Sequence, residues 1–215
     1  SNKVIGLAIG GIDQLRTVLF DFNPQKVTKA YAKTDNLLLL ETIVIKLRPK
    51  GEVRKTSRSL WPQFCQSVID AAYFLHIFEE AKDFYKWADF FAKDLRAKPA
   101  LPLMISTEIA GIGFPLACDF LKEIGFIQYS KPDVHLKEIF RELYLINPNE
   151  KNNLKTDYQV HKVIDQIAIE NNVTPFEVDK LFWLIGSGNF YHAGLKIGRN
   201  RGEFIEMVKS NFYKN

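Results

Sequence analysis

The stretch Ile109-Ala110-Gly111-Ile112-Gly113-Phe114-Pro115-Leu116-Ala117 is where residue types and spacing point most directly to chemistry. Two glycines flanking one apolar residue make a turn whose backbone no side chain shields, so its amide protons can face an anion. If a helix follows, its positive N-terminal end adds to the same field, and a phosphate of a DNA strand suits such a turn. Taken alone, the pattern is a weak signal and is more simply a plain helix–turn–helix connection. Twenty positions after Gly113 stands Asp133, in Pro132-Asp133-Val134-His135. An aspartate before a helical stretch is most simply an N-cap. His76, His135, His161 and His192 lack metal-ligand spacing, and no metal site is expected. Gly186-Ser187-Gly188 lacks the Gly-x-x-x-x-Gly-Lys-Ser/Thr spacing of a phosphate loop.

Turn and aspartate together resemble the helix-hairpin-helix DNA glycosylases of base-excision repair, which include endonuclease III, the adenine glycosylase of mispairs and the alkylpurine glycosylases. That family's signature is a hairpin L-P-G-[VI]-G-x-x-[TA]-A, followed at a similar distance by an aspartate, often in V-D-T-H-[VI]. This chain has I-A-G-I-G-F-P-L-A and then P-D-V-H-L. Gly111, Gly113, Ala117 and Asp133 fall on the signature, with His135 two residues on. Phe176–Tyr191 also looks like the late helix that precedes the cluster loop in endonuclease III relatives. The likeness spans Leu101–Tyr191, while the first hundred residues share only a helical character.

Two departures shape what the resemblance implies. Bifunctional members carry a lysine two positions after the second hairpin glycine, which attacks the sugar and forms a Schiff base; this chain has Pro115 there. The iron–sulfur cysteines are absent as well. The resemblance therefore implies a monofunctional glycosylase that hydrolyses the N-glycosidic bond of a flipped, damaged or mispaired base in double-stranded DNA, without AP lyase activity. Asp133 would be its catalytic carboxylate, stabilising positive charge on the deoxyribose and orienting or deprotonating a water. Gly111, Ile112 and Gly113 would anchor the strand. No cofactor is implied beyond a monovalent cation at the hairpin carbonyls. A flipped base needs an aromatic or apolar slot and a plug for its gap. Trp61, Phe114, Tyr129 and Trp183 are candidates to stack, and Gln63 and Gln66 to fill the gap.

Charge placement agrees with a polyanionic partner. Lys46–Arg58 carries Lys46, Arg48, Lys50, Arg54, Lys55 and Arg58 against Glu52, a local balance of +5 in a chain of net +4. A smaller cluster comprises Lys196, Arg199 and Arg201. These residues are candidate phosphate contacts whose effect would weaken with salt.

The elements that must position these residues read as helices. Trp61–Lys93 repeats Val68, Ala71, Ala72, Leu75, Phe78 and Ala81 at helical spacing, as one helix or two with a break. After the interruption Lys98–Pro102, the pattern predicts a short helix from Leu103 to before Gly111. A second should start near Pro115, where a missing amide proton is harmless, and end at Gly125. Asp133 should open the next. Asp157–Glu170 follows, then a helix through Trp183 to Gly186 that starts with the capping box Thr174-Pro175-Phe176-Glu177. Thr42–Leu47 could be a strand, or Leu37–Leu47 a single helix. The expected architecture is all-α over 1–215, with two helical lobes flanking a DNA-binding cleft and the helix-hairpin-helix at about 103–125.

Composition bounds the rest. A chain that is 47% hydrophobic and 25% charged suits a globular core rather than disorder. Two cysteines, Cys65 and Cys118, cannot build a disulfide framework or a cysteine-held cluster. With no long apolar run and no signal-peptide pattern, the expectation is a soluble, intracellular monomer, cytoplasmic or nucleoid-associated, without a membrane partner. Two rivals stay open: a non-catalytic helix-hairpin-helix DNA-binding protein, and a helical protein-interaction scaffold. Which base would be excised is not written in these residues.

Overall fold

The computed structural model describes residues 2–189 and 198–212, and they are all-helical, with no strand among them. No helix among them is long and apolar enough to cross a membrane. The chain divides into two compact units, one of residues 1–90 and 103–113 and the other of residues 91–102 and 114–215.

In the first unit, α1 (Asn2–Ile9), α2 (Pro24–Ala30), α3 (Asn36–Leu47) and α4 (Leu60–Leu75) surround one core. Asn23 caps α2 by accepting the Lys26 amide at 2.9 Å, with Pro24 in the first turn. The strand alternative for Thr42–Leu47 is replaced by α3. Leu39, Leu40 and Ile43 are all fully buried, and only a helical repeat turns that triplet to one side. On α4, Trp61, Cys65, Ile69 and Ala72 bury the complementary face. A break after Leu75 separates α4 from α5 (Ala81–Ala92), as the pattern allowed. Phe78 fills the joint, its ring 5.5 Å from Phe84 and 5.4 Å from Trp87. α6 (Ala100–Glu108) begins three residues before Leu103, inside the expected interruption. Pro102 lies in its first turn, where the amide it lacks has no intrahelical partner anyway.

The second unit contains α7 (Phe114–Glu123), α8 (Val134–Glu142), α9 (Leu154–Asn171), α10 (Pro175–Ser187) and α11 (Arg201–Phe212). Leu136, Ile139, Phe140, Val160, Ile164, Val178, Phe182 and Ile205 form its core. The capping box at Thr174 and Glu177 forms in both directions, with Pro175 at the first helical position. Three lysines are drawn inside by aspartates from other elements. Lys98 meets Asp165 of α9, Lys122 of α7 meets Asp179 of α10, and Lys137 of α8 meets Asp157 of α9.

Beside the first of these pairs His161 is fully buried, Nδ1 3.2 Å from the Ser130 hydroxyl and Nε2 4.0 Å from Asp165. Burial, reinforced by the Lys98 charge, pulls its imidazole down to about 3. Ser130 is itself closed to solvent, and at 4.0 Å Asp165 is beyond hydrogen-bond distance of the ring. The sign of its pH effect follows from linkage. Below about 6.5 the unfolded chain protonates this histidine while the folded unit refuses the proton down to about 3, so stability falls with acidification in that window. The expected outcome is a steeper loss of denaturation midpoint between pH 7 and pH 4 for the wild type than for His161→Asn; equal slopes would contradict it.

Candidate functional site

The glycine turn belongs to the first unit, between the end of α6 at Glu108 and the start of α7 at Phe114. Gly111 has φ +79°, a left-handed conformation that favours glycine, and the turn closes with the Ile112 amide donating to the Ile109 carbonyl at 3.2 Å. The Ala110 amide donates to Asp70 Oδ2 at 3.0 Å, and the Ala110 carbonyl accepts from the Ser67 hydroxyl. Two of the turn's amides, those of Ala110 and Ile112, are therefore committed inside the protein, and the expected role of Ile112 in gripping a phosphate by its own N–H is corrected accordingly. Among the described residues, the amides of exposed Gly111 and Gly113 have no protein acceptor. Sequence patterns gave no hint of Ser67 or Asp70, which reach the turn from about forty residues upstream.

The basic stretch also lies in the first unit. Lys46 is in the last turn of α3, Arg48 ends that helix in a left-handed conformation at φ 47°, and Lys50, Arg54, Lys55 and Arg58 line the connection to α4. All six are exposed. Arg54 pairs with Glu52 at 3.1 Å and Lys55 with Glu41 at 3.3 Å. Exposed pairs of this kind contribute about 0–1 kcal/mol, so a phosphate can displace them.

Asp133 belongs to the second unit, where it caps α8 as the spacing predicted. Its Oδ1 accepts from the amides of His135 at 2.9 Å and Leu136 at 3.2 Å, so the cap uses one oxygen of the carboxylate. The loop before it is tied down at several points. The Phe176 amide donates to the Ile127 carbonyl at 3.1 Å, the Tyr129 hydroxyl to the Lys98 carbonyl at 3.2 Å, and the Lys131 amide to Asp179 Oδ2 at 3.0 Å. The same Asp179 oxygen takes Lys122 Nζ at 2.8 Å. Burial pushes the Asp179 carboxyl up, against the pull of Lys122 and the Lys131 amide, with the nearby charge of Asp133 adding to the rise. Burial alone would lower Lys122, yet Asp179 and Asp119 together hold its ammonium above its ordinary value.

Several candidates find other roles. Trp61, Phe114 and Tyr129 are buried: Trp61 in the core of the first unit, Phe114 edge-on to His161, and Tyr129 beside Phe126 and His161. As packing residues they present no open ring face to a base, which corrects their assignment as a stacking slot. Trp183 is half-buried and packs on the core of the second unit. Gln63 is exposed and donates to the Arg58 carbonyl at 3.2 Å; Gln66 donates to the Lys33 carbonyl and to Asp70 Oδ1, both at 2.8 Å. Arg199 is exposed, and half-buried Arg201 pairs with Glu138 of α8. Lys196 lies outside the described residues. Cys65 and Cys118 are buried free thiols. Among the described residues no cluster of His, Cys, Asp and Glu could hold a metal ion.

The chain matches no family model, no curated protein and no solved structure. The functional reading consequently rests on the residues and their geometry.

One further contact bears on Asp133. Gly186, near the end of α10, lies so close to α8 that a Cβ there would be 2.6 Å from Cβ of His135, whose amide is one of the two donors to Asp133. Gly186→Ala must push the first turn of α8 aside, with an expected loss on the order of 1–3 kcal/mol. Thermal denaturation checks this, and an unchanged Tm would show that the contact gives way freely.

Proposed function

We propose that this chain is a monofunctional DNA glycosylase, hydrolysing the N-glycosidic bond of a damaged or mispaired base in double-stranded DNA. The observation that carries the reading is the ordered pair of a Gly-Ile-Gly turn and an aspartate at the family's distance. Among the described residues the turn keeps two glycine amides without a protein acceptor, and the aspartate caps its helix through one oxygen. The exposed basic stretch Lys46–Arg58 supports the same partner.

In this reading Gly111 and Gly113 donate amides to a phosphate, while Lys46, Arg48, Lys50, Arg54, Lys55 and Arg58 supply salt-sensitive attraction. The target nucleotide leaves the stack. As the bond from the sugar to the base breaks, the base departs with the electron pair and positive charge builds on the deoxyribose. The Asp133 carboxylate stabilises that charge and takes the proton of the water that attacks the sugar carbon. With Pro115 where an amine would have to be, no Schiff base forms and the product is an intact strand with an abasic site.

A monovalent cation at the hairpin belongs to the resemblance, and no step above uses one. The Ile109 and Ala110 carbonyls each already accept a hydrogen bond within the protein.

A second reading draws on the capping bonds of Asp133: a DNA-binding protein in which that residue serves α8 alone. The test is a panel of duplexes carrying uracil, oxidised guanine, alkylated purine or mispaired adenine, incubated with the protein and then treated with hot alkali. The expected result is breakage at one lesion type only after alkali. Binding without breakage on any duplex supports the second reading, and no affinity even at low salt leaves the helical scaffold.

A further inference from the structure

Ser67 and Asp70 are three residues apart on one face of α4 and hold the two peptides that flank the Ala110 Cα, Asp70 the one before it and Ser67 the one that carries the Gly111 amide. Asp70 Oδ2 accepts the Ala110 amide at 3.0 Å, and the Ser67 hydroxyl donates to the Ala110 carbonyl. Gln66 Nε2 donates to Asp70 Oδ1 at 2.8 Å, and the single hydroxyl proton of Ser67 faces the Gln63 carbonyl, at 3.0 Å, as well as that of Ala110. Every residue in this clamp belongs to the first unit.

An acidic side chain is a costly choice beside a turn that receives phosphate, because its charge repels the ligand. What Asp70 supplies is an acceptor at a fixed place. Ala110 and Gly111 are exposed, and beyond the turn's own bond from the Ile112 amide to the Ile109 carbonyl it is the clamp that sets their peptide planes. With it they are set by α4, a helix of sixteen residues that begins at Leu60, directly after the basic stretch.

We propose that Ser67 and Asp70 are positioning residues of a DNA-strand site: by holding the backbone on both sides of Ala110 they fix the direction in which the Gly111 amide meets a phosphate. This rests on the DNA-binding part of the proposed function. The clamp acts on orientation and leaves the number of cationic contacts unchanged.

The test measures the Kd of the full chain for a labelled duplex at several salt concentrations, beside Tm, for the wild type, Asp70→Asn and Asp70→Leu. Asp70→Leu removes the acceptor and is expected to bind about five- to tenfold more weakly. Its Tm and the slope of log Kd against log salt should match the wild type, because no phosphate-neutralising charge is lost. Asp70→Asn keeps an acceptor and drops the repelling charge, and is expected to bind at least as tightly as the wild type. The proposal is overturned if Asp70→Leu binds like the wild type, if both variants bind more tightly, or if the loss of affinity follows a fall in Tm. A wild type that binds no duplex at low salt would instead sink the DNA reading on which the proposal stands.

Discussion

A carboxylate taken out of water has to be paired, and in the second unit Asp179 is almost fully buried. Its Oδ2 receives Lys122 Nζ from α7 and the Lys131 amide from the loop before α8. Removing either partner would leave a charge stranded inside, at a cost of several kcal/mol, so the loop must pass where Lys131 can reach. Lys98 with Asp165 and Lys137 with Asp157 impose the same rule on the approach to α6, on α8 and on α9. Apolar packing brings these helices together, but it is non-directional. The ion pairs choose one register among those it would tolerate.

Asp133 inherits its place from this arrangement. Two residues before it, the chain is pinned to Asp179; immediately after it, α8 is held by Leu136, Ile139 and Phe140 in the core and by His135 against Gly186. The capping bonds then fix the carboxylate itself. Capping and catalysis do not compete here. The cap leaves the second oxygen outside its two hydrogen bonds, where the proposed chemistry would use it. The glycine turn of the first unit follows a similar logic on a smaller scale, since Ser67 and Asp70 hold its backbone with directional bonds where no side chain of the turn could.

Much of the local structure was legible in the chain. Thr174, Pro175 and Glu177 announce α10, Asp133 announces α8, and Gly125 marks the end of α7, because caps depend on a few neighbouring residues. Other features have no local signature. Phe20, Asp21 and Phe22 all have positive φ, which costs non-glycine residues free energy that only tertiary packing can offset. Lys98, Lys122 and Lys137 read as surface residues until their aspartates are known, two of them 67 and 57 positions away. Trp61, Phe114 and Tyr129 have the chemistry of a base-stacking slot but are drawn into cores, since an aromatic ring that can be buried contributes most there. Asp70 is the sharpest case: on α4 it is one polar residue among several, and only contact with Ala110, forty positions on, gives it a role.

The central claim is that Asp133 carries chemistry in addition to its cap, and Asp133→Asn separates the two. Asparagine caps a helix about as well as aspartate but holds no negative charge. The decisive measurement is the single-turnover rate of base release by Asp133→Asn, on whichever duplex the wild type cleaves, beside duplex affinity and Tm. Affinity and Tm are expected to stay near wild type while the rate falls by roughly two to four orders of magnitude. A variant that releases base at the wild-type rate would contradict it.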